Sequence, residues 1–477
     1  MSFSPNLTYF VERMQGVSVN TFRLESQNRT NATAGQIITF DLPSNAIINL
    51  RSLKVWCNAN ADQVAACGAR LPPINSLVER CEVSVGGVVL AQGANYVNVL
   101  GEVHKALGYD DCDPVYGHPE YVRSTSYVDG STFATTANES YVSTDLNYFA
   151  IDKFHGFINT AEPKLLDTSI VPDLRVRLYM ASNSVLTKSG GTSIGNGPAR
   201  VGPPAFESGF CEAATLPAPT AAYQLTDIHA TIECIGLASM SYDAMLSAQM
   251  SQAGFLEIPY KDYNSFQEIH NGSTRFSVAT QSLDRVWVSW RDTTFETQAN
   301  PIIVNGYKTQ GAFIPGTYAT NAAPATGTNI DLGLPQYDVG GVLNTNNEKY
   351  KSKYFNFTSG ANSGMTMQLQ LNGAYLPQFP ANLGELYGIT KNSLPYKGLK
   401  NVSFDQYLNN YCIQCFRLNM PDSEYSRTIS GLDTRAVNLA GVVKTTRATA
   451  GDPIINVFTE QTSCLRVGAG RSIEVIS

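Results

Sequence analysis

Cys81-Glu82-Val83-Ser84-Val85-Gly86-Gly87-Val88-Val89-Leu90-Ala91-Gln92 has an echo in the second half of the chain, Met367-Gln368-Leu369-Gln370-Leu371-Asn372-Gly373-Ala374-Tyr375-Leu376-Pro377-Gln378. Each stretch alternates apolar and polar residues, meets a two-residue turn with Gly at its second position, and returns in a short strand ending in Leu-x-Gln. Period-two alternation marks a strand with one buried face. Gly86-Gly87 and Asn372-Gly373 suit a type I′ hairpin, whose two central residues need positive φ. The segments that follow match as well, because Val99, Leu100 and Val103 form an apolar stripe at helical spacing, as do Leu383, Leu386 and Ile389. The simplest reading is one unit, a hairpin plus a helix, present twice. More chain separates it from its half's opening strand in the second copy.

Working outward, strand patterns recur between Gly, Pro and Asn punctuation, and long helical patterns are few. In the first half the expected strands are Val17 to Phe22, Gln36 to Leu42, Ile47 to Cys57, Cys81 to Val85, Val88 to Gln92, Tyr148 to Ile158 and Leu174 to Met180. The last sets Leu174, Val176 and Leu178 on one face and Arg175, Arg177 and Tyr179 on the other. In the second half they are Tyr223 to Leu237, Phe276 to Gln281, Val286 to Trp290, Tyr354 to Phe357, Met365 to Leu371, Ile454 to Phe458, Ser463 to Val467 and Ser472 to Ile476, with a helix from Ser241 to Gly254. This is an all-β signature with short helices.

A chain of 477 residues exceeds the size at which one hydrophobic core stops growing, so two β-domains are expected. From Lys188 to Ala222 the composition turns to Gly, Pro and Ser, as in Gly195-Asn196-Gly197-Pro198 and Gly202-Pro203-Pro204. Such a stretch forms no regular element. The expected domains are therefore 1–187, with an N-terminal arm, and 223–477, joined by a linker at 188–222. A long insertion at 292–349, rich in Asn, Thr, Gly and Pro, lies within the second.

Charged residues make up 15% of the chain, against roughly 25% in ordinary globular proteins. The surface must then be covered by Ser, Thr, Asn, Gln, Gly and Tyr, which suits faces contacted by neighbours. A net charge of −7, with no basic run, argues against phosphate-backbone binding. No sequence-specific nucleic-acid binding is expected. Met1 to Phe10 is polar where a signal peptide needs its apolar run, no apolar stretch approaches 18 residues, and synthesis in the cytoplasm is expected. Nine scattered cysteines fit reduced thiols rather than a disulfide framework. Asn271-Gly272-Ser273 and Asn356-Phe357-Thr358 are then chance sequons.

Several pieces, in their order along the chain, resemble the double jelly-roll major capsid proteins of icosahedral DNA viruses, those of virophages and polinton-like viruses in particular. They are Leu50 to Cys57, Val171-Pro172-Asp173-Leu174-Arg175-Val176-Arg177-Leu178, Ile228 to Leu237 with Tyr242 and Ile258-Pro259-Tyr260, Gln370-Leu371-Asn372-Gly373, Ile429-Ser430-Gly431-Leu432-Asp433-Thr434, and Leu465-Arg466-Val467-Gly468-Ala469-Gly470-Arg471. The resemblance implies an all-β fold of two eight-stranded jelly rolls in tandem, with short helices and long inserted loops. It implies a homotrimer of pseudo-hexameric outline that tiles a shell beside neighbouring capsomers, penton and minor capsid proteins. The loops Gly108 to Asn147 and Asp292 to Lys349 would face outward. The N-terminal arm, linker and C-terminus would lie toward the inner face or neighbouring subunits. The low basic content leaves open an internal membrane or a minor protein beneath the shell.

No catalytic, metal or cofactor residue is assigned. His104, His118, His155, His229 and His270 lack any spacing that sets two ligands on one helix face. Cys412-Ile413-Gln414-Cys415 has half a zinc spacing but no second pair, so core thiols are the better reading. Asp110, Asp111 and Asp113 lack the spacing and Gly of a calcium loop and read as a solvated turn. There is no G-x-S-x-G elbow, and Gly195-Asn196-Gly197 does not continue into a dinucleotide fingerprint. Tyr116, Tyr121, Tyr127, Phe133 and Tyr141 suit burial against a neighbouring subunit, or a glycan surface. The expected function is a structural, self-assembling capsid subunit located in the virion. A carbohydrate-binding β-sandwich for host attachment is the alternative, and a glycoside hydrolase, which needs two carboxylates in a cleft, is the third.

Overall fold

The computed structural model describes residues 17–61, 63–107, 148–188, 222–237, 254–296, 350–357, 365–394, 412–420, 431–446 and 453–476, apart from short gaps, with a few isolated residues elsewhere. Two β-sandwiches follow one another along the chain. The first is built from β1 (Val17–Glu25), β2 (Ile37–Asp41), β3 (Ile47–Ala61), β4 (Val78–Val85), β5 (Val88–Ala91), α1 (Val97–Leu107), β6 (Tyr148–Ile151), α2 (Phe157–Thr160), β7 (Leu165–Asp167), β8 (Leu174–Met180) and β9 (Tyr223–Leu237). The second comprises β10 (Phe255–Ile269), β11 (Ser273–Val278), β12 (Leu283–Arg291), β13 (Thr366–Leu371), β14 (Ala374–Asn382), α3 (Leu383–Ser393), β15 (Gln414–Arg417), β16 (Leu439–Thr446) and β17 (Ile454–Gly468), with β18 (Ile473–Ile476) added.

Strand order repeats between the halves. One sheet of the first sandwich runs β1-β9-β3-β7, with β6 also on β3, and one sheet of the second runs β10-β17-β12-β15, with β18 on β17. The facing sheets run β2-β8-β4-β5 and β11-β16-β13-β14. Counted within each half, with β6 and β7 as one interrupted strand, the orders are first-eighth-third-sixth and second-seventh-fourth-fifth in both. That is the jelly roll, built twice from antiparallel pairs. The hairpins seen in the sequence fill corresponding places, β4-β5 closing at Val85↔Val88 and β13-β14 at Leu371↔Ala374. Gly86, Gly87 and Gly373 have φ of 55°, 84° and 82°. Each hairpin leads into a helix of 11 residues. Asn382 caps α3, its side chain accepting from the Glu385 amide while the Glu385 carboxylate accepts from the Asn382 amide.

β8 buries Leu174, Val176, Leu178 and Met180 and leaves Arg175, Arg177 and Tyr179 half-buried, the alternation its sequence carries. On its outer face Arg177 pairs with Glu82 at 2.6 Å and Tyr179 donates to the same carboxylate at 3.0 Å.

The division of the chain differs from the expectation. β9 pairs along its length with β1 and β3, Val17↔Leu237 to Glu25↔His229 and Tyr223↔Ala61 to Ile235↔Ile47, so 223–237 belongs to the first sandwich. The Gly- and Pro-rich stretch at 188–222 therefore lies between two strands of one sandwich; composition shows where a chain leaves regular structure, not which sheet it rejoins. We place the division between the halves at 238–254. The expected strand Tyr148 to Ile158 stops at Ile151, and Phe157–Thr160 is a helical turn. Lys353–Phe355 is a 3₁₀ turn in place of a strand, because Tyr354, Phe355 and Phe357 are all buried rather than alternating. Ile454 to Phe458 and Ser463 to Val467 are one strand, since the polar run Glu460-Gln461-Thr462 between them stays in the sheet, hydrogen-bonded to partners. β7, β10, β15 and β16 carried no strand expectation. Ala248 and Ser251, within the expected helix from Ser241 to Gly254, are helical; the rest of that helix up to Ala253, the loop Gly108 to Asn147 and most of the insertion 292–349 lie outside the described residues.

Replacing Gly373 with Val forces a β-branched residue to φ 82° with no described atom within 4 Å to clash against, so the cost is backbone strain alone. A loss of roughly 1–2 kcal/mol is expected, read as a lower denaturant midpoint at unchanged slope; an unchanged midpoint would show that the turn tolerates other conformations.

Candidate functional site, the seam between the two halves

β12 decides how the halves meet, because all nine of its residues are buried. Val286, Val288 and Trp290 point into the core of the second sandwich. The opposite face carries Arg285, Trp287, Ser289 and Arg291, which an alternating pattern would give to solvent. Here the first sandwich covers it. The Trp287 ring lies 4.8 Å from that of His104 on α1, and Tyr263 of β10 lies 5.9 Å from both His104 and His155. Phe157 of α2 meets Tyr260 edge-on at 5.2 Å. Such edge and tilted ring contacts add about 0.5–1.5 kcal/mol each beyond area burial.

Backbone groups fix the register of this seam. Tyr260 Oη donates to the Leu90 carbonyl at 2.7 Å, and the Glu162 amide donates to the Pro259 carbonyl at 3.0 Å. The Lys261 amide donates to Thr160 Oγ1 at 2.9 Å, a hydroxyl oriented by its own donation to the Gly156 carbonyl at 2.7 Å. Ile258, Tyr260, Tyr263, Trp287, Phe458 and Leu465 from the second half join one apolar cluster with the core of the first.

The charges in the seam are handled in two ways. Arg285 Nη1 donates to Glu460 Oε1 at 2.9 Å, both side chains almost wholly buried, and Trp287 Nε1 donates to the other carboxylate oxygen at 3.2 Å. Arg291 instead lies over aromatic rings, 3.7 Å from the centroid of Phe295, 4.8 Å from Tyr96 and 5.0 Å from Tyr354. Its Nη2 donates to Asn456 Oδ1 at 3.0 Å, while Nε and Nη1 meet no hydrogen-bond acceptor among the described residues. Burial pulls its pKa below the usual guanidinium value. A weakly hydrated, planar guanidinium tolerates such a cage better than an ammonium would.

The four described histidines, among those weighed in the sequence, do not converge on a ligand site. His104 and His155 belong to the seam, His229 contacts the Asp227 carbonyl at 3.1 Å, and His270 bridges the hydroxyls of Thr274 and Thr445. Cys412 and Cys415 are core thiols, Cys412 Sγ accepting from Gln414 Nε2 at 3.4 Å. Burial pushes the Cys57 and Cys81 thiols up to about 12. Among the described residues no group of three or more His, Cys, Asp or Glu side chains could hold a metal, and no helix is long and apolar enough to cross a membrane. Asp110, Asp111, Asp113, His118, Gly195 to Gly197 and the aromatic residues Tyr116 to Tyr141 lie outside the described residues. What sequence reasoning missed is the polar face of β12. Its signal is Arg285 and Arg291 flanking Trp287, an arrangement costly to leave in water on a sheet whose other face is a core.

No family model and no curated protein matches the sequence. Solved structures do match. PBCV-1 VP54, fitted into a cryo-EM reconstruction of the virophage Sputnik, is similar with a TM-score of 0.53 and 10% identity over 97% of this chain and 98% of that one. The quasi-atomic PBCV-1 virus capsid has a TM-score of 0.53 and 12% identity over 97% and 98%. The Faustovirus major capsid protein has 0.51 and 9% over 96% and 91%. At such identity the likeness is one of fold, and it extends over nearly the whole of each chain. The protein has the double jelly-roll fold of viral major capsid proteins.

Two measurements probe the seam. Glu460→Gln leaves Arg285 buried without its counter-charge and is expected to lower stability by roughly 3–5 kcal/mol; a loss under about 1 kcal/mol would mean that water reaches the pair. Burial raises the Asp262 carboxyl to about 6, opposed by hydrogen bonds from the Tyr263 amide and Gln461. A folded-state pKa above the unfolded value near 4 means that stability falls as pH rises from about 4 to about 6 and then levels. Asp262→Asn is expected to remove that fall and raise the melting temperature at pH 8 but not at pH 4. Parallel melting curves for both proteins across that range would contradict it.

Proposed function

We propose that this chain is the major capsid protein of an icosahedral virus, acting as a structural subunit whose function lies in its interfaces. The observation that carries the reading is the doubled jelly roll itself. Two sandwiches of identical strand order, locked by a seam with buried charges, give one chain two near-equivalent building blocks. The printed descriptions of the similar solved structures name a virus capsid and a major capsid protein. Three such chains supply six blocks, enough for a capsomer of pseudo-hexagonal outline, and such trimers can tile a closed shell.

On this reading the chain resides in the virion after synthesis in the host cytoplasm. Its partners are its own copies, neighbouring capsomers, and penton and minor capsid proteins. The surface supports a life among neighbours, with 15% charged residues and a net charge of −7. The same charge balance gives no grip on a genome. No catalytic residue enters the reading, and the long segments at 108–147 and 292–349 are assigned to the outer face.

Negative-stain microscopy of the purified chain is expected to show pseudo-hexagonal particles or sheets of them. A dispersed monomer at micromolar concentration would overturn the reading, and glycan binding by that monomer would favour a host-attachment protein.

A further inference from the structure

Four side chains at one place in the seam keep buried polar atoms that meet no hydrogen-bond partner among the described residues. They are Ser289 Oγ, Arg291 Nε and Nη1, Tyr354 Oη and Asn456 Nδ2. Ser289 and Asn456 face each other in the β12–β17 register, and Arg291 stands two residues beyond Ser289 on the same face. Side chains at facing positions of an antiparallel pair lie about 4.5–5.5 Å apart at Cβ. The Arg291 Nη2 bond to Asn456 Oδ1, 3.0 Å long, ties these two side chains together, and it leaves the amide nitrogen of one and the Nε and Nη1 edge of the other unmatched. The Tyr354 ring centroid lies 5.0 Å from the guanidinium carbon. All four residues are at most 1% exposed.

Native folds satisfy nearly all of their buried polar groups, and each one left over is costly. Several in one place call for a common partner. The donor inventory fixes its chemistry, because Arg291 Nε and Nη1 and Asn456 Nδ2 only donate, and the hydroxyls of Ser289 and Tyr354 can donate. A group that only accepts meets all of them at once, whereas a water molecule must also donate. Charge points the same way. On the same face of β12, Arg285 has Glu460 at 2.9 Å, but Arg291 forms no ion pair among the described residues. The rings of Phe295, Tyr96 and Tyr354 surround its guanidinium at 3.7, 4.8 and 5.0 Å, and their π-faces do not satisfy the N–H groups in its plane. Glu79 on β4 feels the Arg291 charge from the first sandwich, yet burial pushes its carboxyl up, and Glu296 is exposed.

We propose that the seam contains an anion site, in which Arg291, Ser289, Asn456 and Tyr354 hold one monovalent anion of chloride size. This goes beyond the capsid reading and does not depend on it. A monovalent ion matches the single guanidinium that lacks an ion-pair partner, and a small one matches a site whose residues are closed to solvent. The donors come from the second sandwich, while Tyr96 in the cage around Arg291 comes from the first. The anion therefore binds the chain with its seam closed, and by mass action it stabilises that state.

Melting of the full chain tests this, with the protein dialysed into sodium gluconate and sodium chloride then exchanged in at constant ionic strength. The melting temperature is expected to rise with chloride, the folded-to-unfolded ratio growing about tenfold for each tenfold of chloride above the dissociation constant. Arg291→Gln is expected to lose this dependence. Ser289→Ala removes one donor and keeps the packing; it is expected to shift the dependence to roughly threefold to tenfold higher chloride, and it supplies the reading should Arg291→Gln fail to fold. Crystals grown with sodium bromide are expected to show an anomalous peak within hydrogen-bond distance of Arg291 Nε. Equal melting temperatures in chloride and gluconate, a chloride response unchanged in whichever variants fold, or ordered water without anomalous signal at that position would each overturn the site. None of these outcomes touches the capsid reading.

Discussion

The burial of β12 on both faces is the constraint on which the rest of the molecule depends. A jelly-roll strand ordinarily gives one face to its core and the other to water. In β12 the second face holds Arg285, Trp287, Ser289 and Arg291, and it is dry because the first sandwich lies over it. Removing charges from water costs several kcal/mol each, and that cost is offset only while Glu460 and the aromatic cage stay in place. Glu460, Asn456, Phe295 and Tyr354 belong to the second half and Tyr96 to the first, so these ionic groups are largely matched within one sandwich before the other covers them. What joins the two sandwiches is the cover itself, Trp287 on His104, Phe157 on Tyr260 and the Tyr260 hydroxyl on the Leu90 carbonyl.

How much of this was legible in the sequence follows from what each residue pattern reports. Alternation reports one dry face, so β8 was readable from Leu174, Val176 and Leu178 against Arg175, Arg177 and Tyr179. The turn glycines were readable because positive φ excludes most side chains, and the equal spacing of hairpin and helix in both halves marked the duplication. Pairing partners were not readable. β9 looks like the opening of a new domain because Gly and Pro precede it, yet it returns to β1 across some 200 positions of sequence. Nor can a pattern tell a polar face that meets water from one that meets another domain. Arg285 and Ser289 look like surface residues, and Glu460-Gln461-Thr462 looks like a break between strands, because the compensating groups come from elsewhere in the fold.

Duplication explains why the halves share a topology, and divergence explains why they are not interchangeable. Trp56 and Trp287, each on the third strand of its half, keep the same hydrogen-bond geometry, but the acceptor is a neutral hydroxyl in one half and the buried carboxylate of Glu460 in the other. A permanent seam can carry a buried ion pair, since it is never opened after folding. The neutral Thr231 acceptor goes with a tryptophan that stays partly exposed, where the indole N–H needs a hydrogen-bond partner but no buried counter-charge.

The free edges of the sheets bear on the same point. A sheet edge presents unpaired N–H and C=O groups to any passing strand, a hazard that grows with concentration. β14 is the edge of its sheet, and its sequence Ala374-Tyr375-Leu376-Pro377-Gln378-Phe379-Pro380-Ala381-Asn382 places two prolines along it. Each proline lacks the N–H that a docking strand would need. Phe379, between them, presents a half-exposed aromatic side chain. Blocking the edge while leaving aromatic side chains exposed restricts association to face-on packing. That geometry is the one the seam already uses, where rings on β10 and β12 meet rings on α1 and α2.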